Sequence, residues 1–122
     1  MRKVPHGYRT GLGGGFPDLI LIDGIKHFFI ELKVLKIGPS GDIMLRGQYQ
    51  PTQMPWHLKY FLSGGKSLYT VFKLENKYGV IHETPEYVRA VLNGLKYKEM
   101  LDGPWRYKEF KVLGNLIDDI RQ

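Results

Sequence analysis

The chain of 122 residues has the length of one domain and cannot enclose a second core. Its 43% hydrophobic and 25% charged residues suit a globular fold, and the lack of any apolar run of about 18 residues argues against a membrane span. Eighteen Lys and Arg against twelve acids leave a net charge of +6, which points to a polyanionic partner such as nucleic acid, and the absence of cysteine excludes disulfides and thiolate metal sites and fits a cytoplasmic location.

Residues 1–15 read as a basic, glycine-rich arm. Arg2, Lys3, His6 and Arg9 carry its charge, and the glycines at 11 and 13–15 disfavour a helix. MRKVPHGYRTG has no apolar stretch of the kind a secretory signal carries. The spacing predicts a strand over 16–22, a turn at Asp23-Gly24 and a second strand over 26–35. Residues 37–42 break the pattern, and IMLRGQYQ is ambiguous between a short strand and a loop. A helix capped by Thr52 is predicted to run to the Gly64-Gly65 stop, with Met54, Leu58, Phe61 and Leu62 as its apolar stripe. Strands are expected at 67–74 and 78–82, and a helix from Pro85 to about Asn93, stopped by Gly94. The tail predicts a short strand from Arg106 and helical turns at 113–121. The order implies a single α+β domain on a mixed sheet, with features of α/β folds.

The chemistry concentrates in Pro17-Asp18 and Glu31-Leu32-Lys33. Two residues apart on a strand, Glu31 and Lys33 share one face, while Phe28, Ile30, Leu32 and Val34 take the other, toward a core. A two-residue turn at 23–24 puts Asp18 opposite Phe29, and a four-residue loop at 23–26 puts it opposite Glu31. Both even-length loops bring Asp18 to the face of Glu31 and Lys33, whereas an odd-length loop would put it on the opposite face. Paired carboxylates suit a hard divalent cation, which can activate water, and an ammonium beside them can orient that water or stabilise charge on phosphorus. The plainer reading is a solvated strand face with a surface Glu-Lys pair.

At these residues the sequence resembles the PD-(D/E)XK nucleases. GLGGGFPDLILIDG followed by HFFIELKV looks like their catalytic segment, and QPTQMPWHLKYFLSGG followed by SLYTVFKL like its continuation. The nearest likeness is to small VRR-NUC and Holliday-junction-resolvase-like phage or archaeal nucleases. It covers about Gly11 to Leu74, and residues 75–122 match nothing. The resemblance implies a restriction-endonuclease-like mixed central sheet flanked by helices. It also implies Asp18 and Glu31 as ligands of Mg²⁺ or Mn²⁺ with the Leu32 carbonyl as a third, Lys33 as the catalytic lysine, and Gln53 as a glutamine contacting the site. The reaction implied is hydrolysis of DNA phosphodiester bonds. No acid precedes Asp18, so the glutamate that many relatives carry on an N-terminal helix is missing. The stretch between Lys33 and Gln53 is also long, which suggests a substrate-contacting insertion or a dimer element.

Other residues carry two readings each. His57 lies four residues beyond Gln53 on the same helix face and could approach the site, or be an ordinary surface histidine. Trp56 and Tyr60 would stack on bases or pack in the core. Arg2, Lys3, Arg9, Lys36, Arg46, Lys59 and Lys66 would line a phosphate-binding surface, or be solvated charges. GLGGGF reads as a flexible arm or a close approach to the DNA backbone, and Asp118 and Asp119 as exposed helix charges. The expectation is a structure-selective endonuclease acting on branched DNA, Holliday junctions or flaps in replication, recombination or repair. Cutting two strands symmetrically calls for a homodimer. No membrane or small-molecule cofactor is expected. The alternatives are a restriction or defence nuclease and a catalytically silent nucleic-acid-binding module.

Overall fold

In a computed structural model the described residues are 2–3, 15–39 and 43–122, with backbone alone considered at 2–3. A six-stranded mixed sheet forms in chain order: β1 (Arg2–Lys3), β2 (Leu19–Asp23), β3 (Lys26–Val34), β4 (Leu68–Lys73), β5 (Tyr78–His82) and β6 (Arg106–Phe110). All neighbours run antiparallel except β3 and β4, which are parallel with Glu31 beside Thr70 and Lys33 beside Phe72. A parallel pair needs a crossover, and α1 (Gln53–Leu62) lies in it. Helices α2 (Pro85–Leu92), α3 (Tyr97–Asp102) and α4 (Leu113–Arg121) complete the fold. The architecture is α+β, an open mixed sheet flanked by helices.

Each face of the sheet has its own core. On one, Phe72 and Ile81 pack with Met54 of α1, Tyr87, Val88 and Val91 of α2, and Tyr97 and Met100 of α3. On the other, Leu116 and Ile120 of α4 cover Leu19, Leu21, Phe28, Ile30, Val71 and Val80. Alternation along β3 and β4 supplies both layers. The second layer stops short of the end of β3. Leu32 and Val34, expected to be core, are 43% and 68% exposed because α4 covers the other part of that face.

Several boundaries differ from the sequence expectation. The β2–β3 ladder pairs Ile22 with His27 and continues to Asp23 and Lys26, so the hairpin tip is Gly24-Ile25 and not Asp23-Gly24. Gly24, with φ +65°, supplies the left-handed conformation at the first tip position. Thr52 is no side-chain cap of α1, since its own backbone is already helical. Thr84 does cap α2, its hydroxyl accepting from Tyr87 N–H at 3.1 Å. IMLRGQYQ forms a 3-10 turn over Leu45–Gln48, and Met44 bridges to Lys96. Leu35, Leu45 and Tyr49 of the long crossover enter the first core. The short α3 was not expected. Among the described residues, no helix is long and apolar enough to cross a membrane.

Candidate active site

Hairpin register fixes the first part of the site. Leu19 pairs with Ile30, so the next pair outward sets Asp18 across from Glu31. Asp18 sits at a bend just before β2, after the buried Pro17, and its Oδ2 accepts the Leu32 N–H at 3.0 Å. This bond ties the carboxylate to the strand that carries Glu31 and Lys33.

Helix α1 closes over the same face. Glu31 is fully buried, not a solvated strand residue. Gln53 Nε2 donates to Glu31 Oε1 at 2.8 Å, and Lys33 Nζ donates to Gln53 Oε1 at 2.6 Å. The Gln50 N–H donates to that same Oε1 at 2.7 Å. Two donors converge on one end of the Gln53 amide and an acceptor meets the other, so its orientation is determined. Glu31 and Lys33 are thereby linked through one side chain. Lys33 Nζ also lies 5.2 Å from the centre of the Tyr49 ring.

One turn along α1, His57 is fully buried between two carboxylates. Its Nε2 lies 3.2 Å from Glu31 Oε2, and its Nδ1 lies 2.8 Å from Glu83 Oε1. Glu83, just past the end of β5, also accepts the Thr70 hydroxyl at 2.6 Å. Thr70 Oγ1 accepts from the Tyr49 hydroxyl at 2.9 Å, and Tyr49 and Tyr87 share a further bond of 3.0 Å. Among the described residues no buried side-chain polar atom lacks a partner.

Electrostatics follow from this packing. Burial pushes the Glu31 carboxyl up to about 7, His57 opposes that rise, and the neighbouring Asp18 adds to it. Burial works to lower the His57 pKa, but the two carboxylates outweigh it and push it up to about 9. His57 is therefore an imidazolium at neutral pH, with both ring N–H groups donating. Burial lowers the Lys33 pKa, against the opposing pull of Glu31 and Asp18.

Asp18, Glu31, Lys33 and Gln53 thus meet in one place, with the Leu32 backbone alongside. His57, a weaker candidate from sequence, belongs to the same cluster. Glu83, Thr70 and Tyr49 were missed. The only local sign was an acid ending the apolar strand YGVIH, and nothing there reveals that the strand end faces α1. The basic residues do not gather in the same way. Arg46 donates to the Leu92 carbonyl at 3.1 Å, closing the end of α2. Lys36 rims a concavity of about 750 Å³ with Lys73 and Lys77. Lys59 and Lys66 are exposed on α1 and the loop after it. Arg2 and Lys3 form the edge strand against β2. Arg9 and all of GLGGGF but its last two residues lie outside the described residues. Trp56 and Tyr60 stack on one another at 5.7 Å and pack with Phe16 and Phe29 as a half-buried aromatic cluster. A Cβ on Gly15, whose φ is +97°, would meet the Thr52 carbonyl at 2.2 Å, so the chain before Asp18 passes hard against the start of α1. Asp119 pairs with Lys108 at 3.0 Å, and Asp118 lies 3.9 Å from Arg121, as surface charges.

Comparison with known proteins finds no matching family model, no matching curated protein and no matching solved structure.

Proposed function

We propose that this protein is a nuclease that uses Mg²⁺ or Mn²⁺ to hydrolyse phosphodiester bonds in DNA, with Asp18, Glu31, Lys33 and Gln53 as its active site. One observation carries the reading. An acid, a second acid and a lysine lie on a single sheet face, and the Gln53 amide joins the buried Glu31 to Lys33. A surface ion pair would need neither the burial nor the bridging amide.

The donor set suits a hard cation. Asp18 and Glu31 offer carboxylate oxygens, the Leu32 carbonyl is a third oxygen, and Mg²⁺ commonly keeps water in its remaining positions. Among the described residues, no group of three or more His, Cys, Asp or Glu side chains is arranged to hold a metal, so the shell would rest on these two acids. Burial and Asp18 both disfavour charge on Glu31, a penalty that a bound cation would offset. When bound, the metal supplies polarisation of a phosphoryl oxygen and a more acidic water. Gln53 holds Lys33 Nζ at a fixed position, where the ammonium would orient that water or stabilise charge on phosphorus. The basic surface supplies attraction to the DNA backbone. Selectivity for branched DNA, a homodimeric assembly and a restriction-endonuclease-like kinship belong to the same proposal.

A second reading has one observation in its favour. Both Glu31 oxygens already accept hydrogen bonds, from Gln53 and His57, as they would in a purely structural network of a silent DNA-binding module. The deciding experiment incubates wild type and Lys33→Ala with four-way, flapped and linear DNA, with Mg²⁺ and with chelator. The expected result is Mg²⁺-dependent cutting by wild type and a loss of roughly 10²–10³-fold in rate for Lys33→Ala. Binding without cutting by wild type would leave the silent module. Equal cutting of linear and four-way DNA would remove the structure-selective form of the proposal.

A further inference from the structure

We propose that Glu83 is a positioning residue for the metal ligand Glu31, acting through His57. The inference rests on the metal-dependent reading above and extends it to residues that the sequence motif does not contain. Glu31 receives two donors from α1, Gln53 Nε2 on one oxygen and His57 Nε2 on the other. Together they fix the rotation of the carboxylate, which a single bond would leave free about its axis. His57 can donate from Nε2 only while that nitrogen carries a proton. Glu83 holds the ring in place from its other nitrogen, engaging Nδ1 at 2.8 Å, and Thr70 holds Glu83 in turn at 2.6 Å. The relay therefore runs from β4 and the end of β5, through α1, to β3.

Stability alone gives a poor account of this arrangement. Glu31, His57 and Glu83 are at most 1% exposed, and removing a cation and two carboxylates from water is costly. Apolar side chains of similar volume would fill the same space at no such penalty. Partners outside the coordination shell, however, commonly change metal affinity by about 10–100-fold by orienting the ligands. An anion that carries charge in a closed interior needs such fixing donors if it is to present its remaining lone pairs in one direction.

The test measures Mn²⁺ affinity by paramagnetic resonance of the free ion, together with melting temperature and DNA cleavage. Glu83→Leu removes the acceptor for His57 Nδ1 and is expected to weaken Mn²⁺ binding by about 10–100-fold. Glu83→Gln should recover affinity to within about threefold, because its amide can donate to Nδ1 while Nε2–H still donates to Glu31. If Glu83→Leu fails to fold, Thr70→Val removes only the donor behind Glu83 and should weaken binding several-fold. Variants that lower the melting temperature yet bind Mn²⁺ as wild type does would make the relay purely structural and overturn the proposal. Equal loss in Glu83→Leu and Glu83→Gln would overturn it as well. Wild-type Mn²⁺ binding without DNA cleavage would end the nuclease reading and leave the positioning role standing. No Mn²⁺ binding by wild type would end both.

Discussion

Glu31 and His57 illustrate how one buried pair makes the fold sensitive to pH. Glu31 titrates near 7 in the fold against an ordinary 4.5, so its favourable neutral state is fully available below the ordinary value and is lost as pH rises through 7. His57 titrates near 9 against 6.5, so the stability from its charged form is present below 6.5 and is lost as pH rises through 9. Both contributions have the same sign. The metal-free protein should therefore melt at progressively lower temperature from about pH 5 to pH 9, and added Mg²⁺ should reduce the part of this fall that comes from Glu31. Thermal scans with chelator across that range check it, and a melting temperature that climbs between pH 6 and 9 would contradict it. At this scale the sequence was informative about only part of the site. Asp18, Glu31 and Lys33 are close along one hairpin, and parity alone placed them together. Glu83 and Thr70 reach His57 only through strand order and helix placement, which no local pattern encodes.

At the level of elements, α4 is the clearest test of packing. Its Leu116 is fully buried against the face of the sheet opposite the site. Leu116→Ala should destabilise the protein by about 2–5 kcal/mol, measured by denaturant unfolding, while Mn²⁺ affinity of the folded protein stays unchanged. A cost below about 1 kcal/mol would mean that α4 is not a structural layer. The strands and longer helices were readable from periodicity and punctuation. YGVIH is strand β5 as expected, and Thr84-Pro85 begins α2 with a working cap. The failures have physical causes. Thr52 resembles a cap, but the chain enters α1 already helical. Tyr97–Asp102 is too short to show a helical period, and it is held by the Met44 bridge and by Tyr97 N–H donating to the Ile43 carbonyl at 2.7 Å. Leu32 and Val34 alternate as core residues should, yet their neighbours on that face end before reaching them.

For the whole molecule, charge is the property that matters most. A net charge of +6 spread over several surfaces favours contact with phosphates without specifying one groove. The proposed binding to DNA, measured on a fixed linear duplex, should accordingly weaken steeply with salt, by at least about tenfold between 50 and 200 mM. Fluorescence anisotropy in chelator measures this directly, and affinity that is insensitive to salt would argue against backbone contacts.

The parallel pairing of β3 with β4 has a consequence for how the molecule comes into being. Every other neighbouring pair in the sheet is antiparallel, but this one encloses α1 within its crossover. Gln53 and His57 reach Glu31 only after that long loop has closed, and closure of distant contacts is the slow part of folding. A chain halfway to its native state can hold the hairpin of Asp18 and Glu31 but not the groups that orient it. For the proposed nuclease, competence and completion of the fold would therefore arrive in the same step.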